Sequence, residues 1–532
     1  MSIELALAIP ATVDLCLKYG KELQKLCSAL KNADVQVSER VLRLDNGWVK
    51  FTHQLNFLQR IQHVMEDEHR DVCEQTLRVL LGKLEIVTEM LRGLLKLEMP
   101  HDAILDPGFD VRIRKTKFAF KKESLDRAIE ELEVWQRTAD QSWFLLMRIA
   151  DSQVDDALKE NTPTAYEPST AVAIPSAASI RSGLSGGALK PGLTLSADVL
   201  SQMTTHLITC CPAQIAERVY STGQTAAYVL NHIPLKPFAK RAVIKQNARD
   251  LAQKLQHDDP HTFGLLTCKG IATPSSIPPV ADGEAEPQLT LTMIFRMPPG
   301  TSNPRCLRDL LLNTPAPHSL SLRYDIARQL ARSISSVHTF GFVHKNLRPE
   351  TVLTFAGADG LAQSVFLVGF EHFRREDQWT QRRGDDFIER NLYRHPSRQG
   401  VYPRDDYVMQ HDIYSLGVCL LEIGLWRSFI SYEEGRQPLD AELFGIEPHE
   451  SKDRARAFVI MSAKEHLLLL ARCRLPQYMG SRYAEIVETC LTCLDPDNAD
   501  FGDAREFEDE DGIRVGVRYI EKVLLRLNRL YV

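Results

Sequence analysis

Apolar residues recur at helical spacing through the first part of the chain. Leu23, Leu26, Cys27 and Leu30 form one stripe. Val41, Leu44, Trp48, Phe51, Leu55 and Leu58 form a second, and Leu77, Leu80, Leu81, Leu84, Val87 and Leu91 a third. Steps of three and four place each set on one face of an α-helix. No proline falls between Pro10 and Pro100. A break at 100–107 precedes a last helix, expected over 121–158, which turns Leu125, Ile129, Leu132, Trp135 and Phe144 inward and leaves Glu130, Glu131 and Glu133 mostly facing water. Long amphipathic helices joined by short loops favour an antiparallel all-α bundle, expected over 1–158.

The pattern lapses over 159–204, where Pro163, Pro168, Pro175, Gly183, Gly186, Gly187, Pro191 and Gly192 sit among Ser, Thr and Ala. A segment with so few large apolar groups cannot offset its ordering entropy by burial, and it reads as a flexible linker. From 205 onward, β-rich runs at 227–230, 242–244 and 289–295 are followed by helical patterns at 321–339, 411–424 and 483–494. Strands first and helices afterwards predict an α+β bilobal domain over 205–532.

Composition sharpens this picture. The 532 residues carry 64 Lys+Arg against 70 Asp+Glu, a formal charge of −6, which argues against a nucleic-acid binder built to neutralise phosphates. Hydrophobic residues at 44% and charged residues at 25% are those of an ordinary globular chain. Eleven scattered cysteines read as free thiols of a reducing compartment. The opening Met1-Ser2-Ile3-Glu4-Leu5 lacks the basic start of a secretory signal, and no stretch of about 18 apolar residues is free of charge. A cytoplasmic protein is expected.

The most informative stretch is Val343-His344-Lys345-Asn346-Leu347-Arg348-Pro349-Glu350-Thr351-Val352-Leu353, which follows the helix that ends near His338. Val368-Gly369-Phe370-Glu371, Tyr393-Arg394-His395-Pro396-Ser397 and Asp412-Ile413-Tyr414-Ser415-Leu416-Gly417-Val418 come after it in order. These four resemble the catalytic loop, the Asp-Phe-Gly triplet, the end of the activation segment and the buried anchor helix of protein kinases. His344, Phe370 and Asp412 match structural positions of that fold. Phosphoryl transfer needs a carboxylate to accept the substrate proton and two groups to hold Mg²⁺. By the resemblance, the base position falls on Asn346, the metal positions fall on Thr351 and Gly369, and the assisting lysine is Arg348. Loss of the proton acceptor alone typically costs on the order of 10²–10⁴ in rate. The resemblance therefore implies a pseudokinase, with no cofactor required, no Mg²⁺ and no metal site.

Ala242-Val243-Ile244-Lys245 resembles the strand motif whose lysine contacts ATP, so Lys245 reads either as that contact or as a surface lysine. No Glu lies between it and Glu284, and Ser221-Thr222-Gly223-Gln224 has one glycine where a phosphate loop wants several. Both features argue against nucleotide binding. The segment 371–392, with Arg374, Arg375, Arg382 and Arg383 around Thr380, reads as a solvated loop or as a phosphate receiver. Cys490 and Cys493 read as core thiols rather than half of a zinc site.

In the amino-terminal region, Ile3, Leu5, Leu7 and Ile9 belong to a run with the single charge Glu4. It reads as a buried first helix or as one that inserts into a membrane surface on release. Arg112, Arg114, Lys115 and Lys117, with Phe118 and Phe120 among them, read as an anionic-lipid patch or as a solvated helix start.

Leu7-Ala8-Ile9-Pro10-Ala11, Cys16-Leu17-Lys18-Tyr19-Gly20 and Leu55-x-Phe57-Leu58-x-Arg60-Ile61 resemble the HeLo-type helical domain of fungal incompatibility proteins. Leu416-Gly417-Val418-Cys419-Leu420-Leu421-Glu422 resembles the kinase-like half of the same fungal family. The combination is similar in architecture to mixed-lineage-kinase-domain-like proteins. It implies a kinase fold that restrains a helical effector, self-association of that bundle, anionic lipids as partners at the plasma membrane on activation, an upstream activator, and a role in regulated cell death or heterokaryon incompatibility. The alternatives are a weakly active, ATP-binding Ser/Thr kinase and a non-enzymatic scaffold.

Overall fold

The computed structural model describes residues 3–31, 35–95, 115–149, 151–160, 177–178, 180–181, 193–196, 198–235, 241–256, 259–272, 290–313, 318–357, 363–371, 373–375, 384–433, 436–501 and 513–530. The chain divides into two compact units, Met1–Arg181 and Ser182–Val532.

The first unit is all-α. Helices α1 (Ile3–Leu30), α2 (Val35–Ile61), α3 (Asp67–Arg92) and α4 (Lys115–Leu145) are followed by the short α5 (Ser152–Glu160). The three apolar stripes face inward, with only Leu81 of the third stripe half-buried. Successive helices run antiparallel. Gln59 reaches Asp14 at 3.0 Å near one end of the α1–α2 pair, and Trp48 fills the space beside Gly20 further along. A Cβ on Gly20 would lie 1.7 Å from the Trp48 ring, so only glycine permits this close crossing. Ion pairs Arg40–Asp126 (2.6 Å), Arg43–Glu133 (2.9 Å) and Lys50–Asp140 (3.0 Å) tie α2 to α4, and Lys83–Glu131 (2.5 Å) ties α3 to α4. Glu131 and Glu133, expected to face water, are thus half-buried partners of cations on neighbouring helices, while Glu130 is exposed.

The helix expected over 121–158 is in two pieces. α4 gives way to a short 3₁₀ turn, and the Asp151 carboxylate caps α5 by accepting the Gln153 amide at 2.7 Å. The carbonyls freed at this break accept hydrogen bonds from Arg181, which reaches Met147 O (3.2 Å) and Ile149 O (2.6 Å) and pairs with Asp155 at 2.8 Å. Ala177 and Ile180 are buried with it. Arg181 and these two apolar side chains therefore belong to the bundle.

The second unit opens on β1 (Thr194–Leu195), which pairs in parallel with β5 (Cys268–Ala272). The linker expected over 159–204 is consequently ordered at both ends. Leu195, Val199, Leu200 and Met203 cover the sheet face built from Ala216, Tyr228, Leu230, Ala272 and Ile294, so the few apolar residues there do find a core. Strands β2 (Thr204–Leu207), β3 (Gln214–Val219), β4 (Thr225–Pro234) and β6 (Thr290–Arg296) complete a six-stranded mixed sheet in the order β1-β5-β6-β4-β3-β2. The runs at 227–230 and 289–295 are strands as expected.

The run at 242–244 is not a strand. It lies in helix α6 (Arg241–Lys254), because Ala248, Leu251, Ala252 and Leu255 are fully buried at helical spacing and outweigh a short β-branched run, whose Val243 is exposed. The remainder is mainly helical. β7 (Ser302–Cys306), α7 (Leu307–Asn313), α8 (Leu320–Thr339), β8 (Phe342–Val343), β9 (Val352–Ala356), β10 (Gln363–Leu367) and β11 (Arg374–Arg375) lead to α9 (Met409–Leu425), which is buried from Met409 to Gly424. Helices α10 (Lys452–Met461), α11 (Ala463–Cys473) and α12 (Ser481–Leu491) follow. Cys490 and Cys493 are both buried, and the Cys493 thiol donates to Gln410 O at 3.2 Å, as core thiols would. A strand-rich lobe followed by a helical lobe is the bilobal α+β arrangement expected of a protein-kinase-like fold. Among the described residues no helix is long and apolar enough to cross a membrane.

Candidate functional site: a kinase-like cleft closed on itself

The loop between β8 and β9 is held from below by Asp412 on α9. This fully buried carboxylate accepts the backbone amides of His344 (2.7 Å) and Lys345 (3.0 Å), the Tyr407 hydroxyl (2.6 Å) and His338 Nε2 (3.2 Å). Burial alone would raise its pKa, but these donors hold it down at about 2. Lys345 takes a left-handed backbone (φ +64°), which turns the chain sharply into Asn346. The neutral His344 ring donates to Val368 O at 3.0 Å and stacks edge-on against Phe370, fixing the segment that carries Gly369. His344, Phe370 and Asp412 thus meet in one packed, hydrogen-bonded group.

The degenerate positions meet as a satisfied cluster. Asn346 Nδ2 donates to Gly369 O (3.1 Å), and its Oδ1 accepts Arg348 Nε (3.2 Å). The Thr351 hydroxyl is shared between Asn346 O (3.0 Å) and Arg348 O (2.9 Å) and accepts the Arg348 amide (3.2 Å). Gly369 has φ +81°, and a Cβ there would lie 2.4 Å from Thr351 Cγ2. The cleft-facing residue of β4 is Asn231, whose Oδ1 accepts the amides of Gly369 (2.8 Å) and Phe370 (3.1 Å). An amide side chain from the small lobe therefore grips the segment where a kinase would hold metal and phosphate. Lys245, read as a possible phosphate contact on a strand, is exposed on α6 instead.

The nearby carboxylates are already engaged. Arg308, at the start of α7 and wholly buried, donates to Glu350 (3.1 Å), Glu422 (2.6 Å) and Ser428 Oγ (2.6 Å), and also to the Tyr393 hydroxyl. Tyr393 in turn donates to Glu422 at 2.8 Å. Burial would raise Glu350, but Arg308 and Arg348 together hold it below the usual range; burial pushes Glu422 up against the pull of Arg308. Among the described residues no three His, Cys, Asp or Glu side chains converge as a metal-ligand set. The Asn346 amide itself cannot accept a proton at neutral pH.

Asn231 and Arg308 were missed in the sequence, since neither lies in a motif. Each is followed by a second polar residue, His232 and Asp309, so no local pattern marks either as buried. Of the remaining candidates, Thr380, Arg382, Arg383, Arg112 and Arg114 lie outside the described residues. So do the side chains of Ile3, Leu5, Leu7, Lys115 and Lys117, whose backbones begin α1 and α4. Ile9 is fully buried, Phe118 is buried and Phe120 is 89% exposed.

Buried histidines give the fold an acid limit. Burial pushes His344 and His395 in this unit, and His69 in the helical unit, down to about 4, and His411 to about 3. An unfolded chain binds these protons below about pH 6.5, whereas the folded one refuses them until near pH 4. Stability is therefore complete above pH 6.5 and falls as the pH drops towards 4. Thermal midpoints should decline between about pH 7 and 5; equal midpoints would contradict neutral buried imidazoles.

A scan against models of known protein families finds no match to this chain, and no curated protein matches it.

Proposed function

We propose that the second unit is a catalytically inert, kinase-like regulator and that the helical unit is its effector, acting on anionic membrane surfaces after self-association in a setting of regulated cell death. The observation that carries the first half is the self-satisfied cluster of Asn346, Arg348, Thr351 and Gly369, gripped by Asn231. A site poised for phosphoryl transfer would leave carboxylates free for metal and proton, and here Glu350 is committed to Arg308 and Asp412 to the backbone amides of the loop. Without chemistry, such a fold acts as a switch by favouring one of two arrangements.

The second half draws on the burial of Ile9 within the bundle and on the exposed Phe120 beside Lys121 and Lys122. A packed first helix can contribute to membrane binding only after release, and clustered cations attract anionic lipid at about 1 kcal/mol each. Residues 1–181, which keep the Arg181 clasp, should bind and leak phosphatidylserine-containing vesicles more than neutral ones. Deleting residues 2–13 should abolish the leakage. Equal leakage from the deletion would remove the first helix from the mechanism, and no vesicle response from either form would leave a scaffold.

A further inference from the structure

We infer that Cys306 and the Cys210–Cys211 pair form an oxidisable thiol site at the mouth of the cleft, closing to an intramolecular disulfide in the presence of a peroxide. Residues 208–213 form the turn between β2 and β3, the place where a phosphate-binding loop would lie in a kinase-like sheet. This turn is folded down onto the β7–α7 junction. The Cys306 thiol donates to Thr209 O at 3.0 Å, and that carbonyl carbon is bonded directly to the Cys210 nitrogen. Cys306 interacts electrostatically with both Cys210 and Cys211; burial first, and Glu350 of the catalytic-like loop after it, pushes all three thiols up, so the reaction draws on a small thiolate fraction and quickens as the pH rises. Cys210 holds a left-handed backbone (φ +58°), a conformation non-glycine residues seldom adopt without tertiary support.

The three thiols differ in access. Cys210 and Cys211 are partly exposed and Cys306 is buried, so an oxidant meets the turn first and Cys306 resolves. The thiolate of the turn cysteine attacks a peroxide oxygen, forming an S–O bond as the O–O bond breaks and hydroxide leaves. Cys306 sulfur then attacks that sulfenic sulfur, forming S–S as the S–O bond breaks and water leaves. Two thiols lose two protons and two electrons, and hydrogen peroxide becomes two waters. A bond between the adjacent Cys210 and Cys211 would close a small ring across a planar peptide, which disfavours that pairing. The Cys306 link instead ties the sheet covalently to the residue that precedes Leu307-Arg308, locking the turn over the buried ion cluster. The link requires only the fold, so phosphoryl transfer found in this chain would leave it standing.

The test is hydrogen peroxide treatment of the full chain, alkylation of remaining thiols, and non-reducing peptide mass spectrometry. The expected product joins the peptide containing Cys306 to the one containing Cys210 and Cys211. It is lost on reduction and lost in the double variant Cys210→Ser/Cys211→Ser, whose partly exposed positions tolerate serine. Oxidation of the exposed Cys473 shows that peroxide acted. Absence of the 306 link while Cys473 is oxidised would overturn the inference, as would pairing of Cys306 with another cysteine in the natural chain.

Discussion

Arg308→Ala should destabilise the second unit by about 3–5 kcal/mol, the range for breaking a buried ion pair from one side. The side chain is wholly buried and serves Glu350, Glu422, Ser428 and Tyr393 together, so its removal strands two carboxylates in the interior. Arg308→Lys should rescue little, since a compact ammonium cannot span four separated acceptors as a planar guanidinium does. Arg308→Met combined with Glu350→Gln and Glu422→Gln should recover part of the loss, because it removes the stranded charges rather than the packing. Denaturant unfolding of the full chain, following the transition of this unit, reads the difference. A change under about 1 kcal/mol for Arg308→Ala would mean that the cluster is solvated and does not organise the lobe.

Gly369→Asp, the substitution that restores a metal ligand on paper, should cost about 2–5 kcal/mol and restore nothing. Its backbone is left-handed, and the new Cβ would lie 2.4 Å from a methyl of the buried Thr351. Asn346→Asp replaces a donor to Gly369 O with an acceptor facing a carbonyl, so the two changes together conflict with the local hydrogen bonding rather than repair it. A folded double variant with Mg²⁺-dependent phosphate transfer would show that this cleft is only a few side chains from activity. The expected result is a less stable protein without transfer.

The fold was legible in the sequence where periodicity was long. The stripes of α1 to α3 and the apolar run of α9 read correctly because each extends over several turns and its face is buried. Short runs failed. Residues 242–244 carry β-forming side chains, yet the helical spacing of Ala248, Leu251, Ala252 and Leu255 decides the element. Leu195, Val199, Leu200 and Met203 look like linker residues by composition, but these four apolar side chains suffice to cover a sheet face. The break between α4 and α5 had a local signal in Asp151-Ser152; its distant partner Arg181 had none, since an arginine among small residues gives no sign of the carbonyls it will reach. Within the site, Asn346, Thr351 and Gly369 were readable from motif order. Asn231, Arg308 and the Cys306 neighbourhood depend on contacts between segments far apart in the chain, which no local pattern encodes.

The most direct test of an inert cleft is transfer of the γ-phosphate from Mg²⁺-bound ATP to the full chain and to a general acceptor protein, measured beside Asn346→Ala. The expected result is the same background incorporation in both. Mg²⁺-dependent incorporation by the natural chain that disappears in Asn346→Ala would contradict it, and would make this cleft an atypical kinase site.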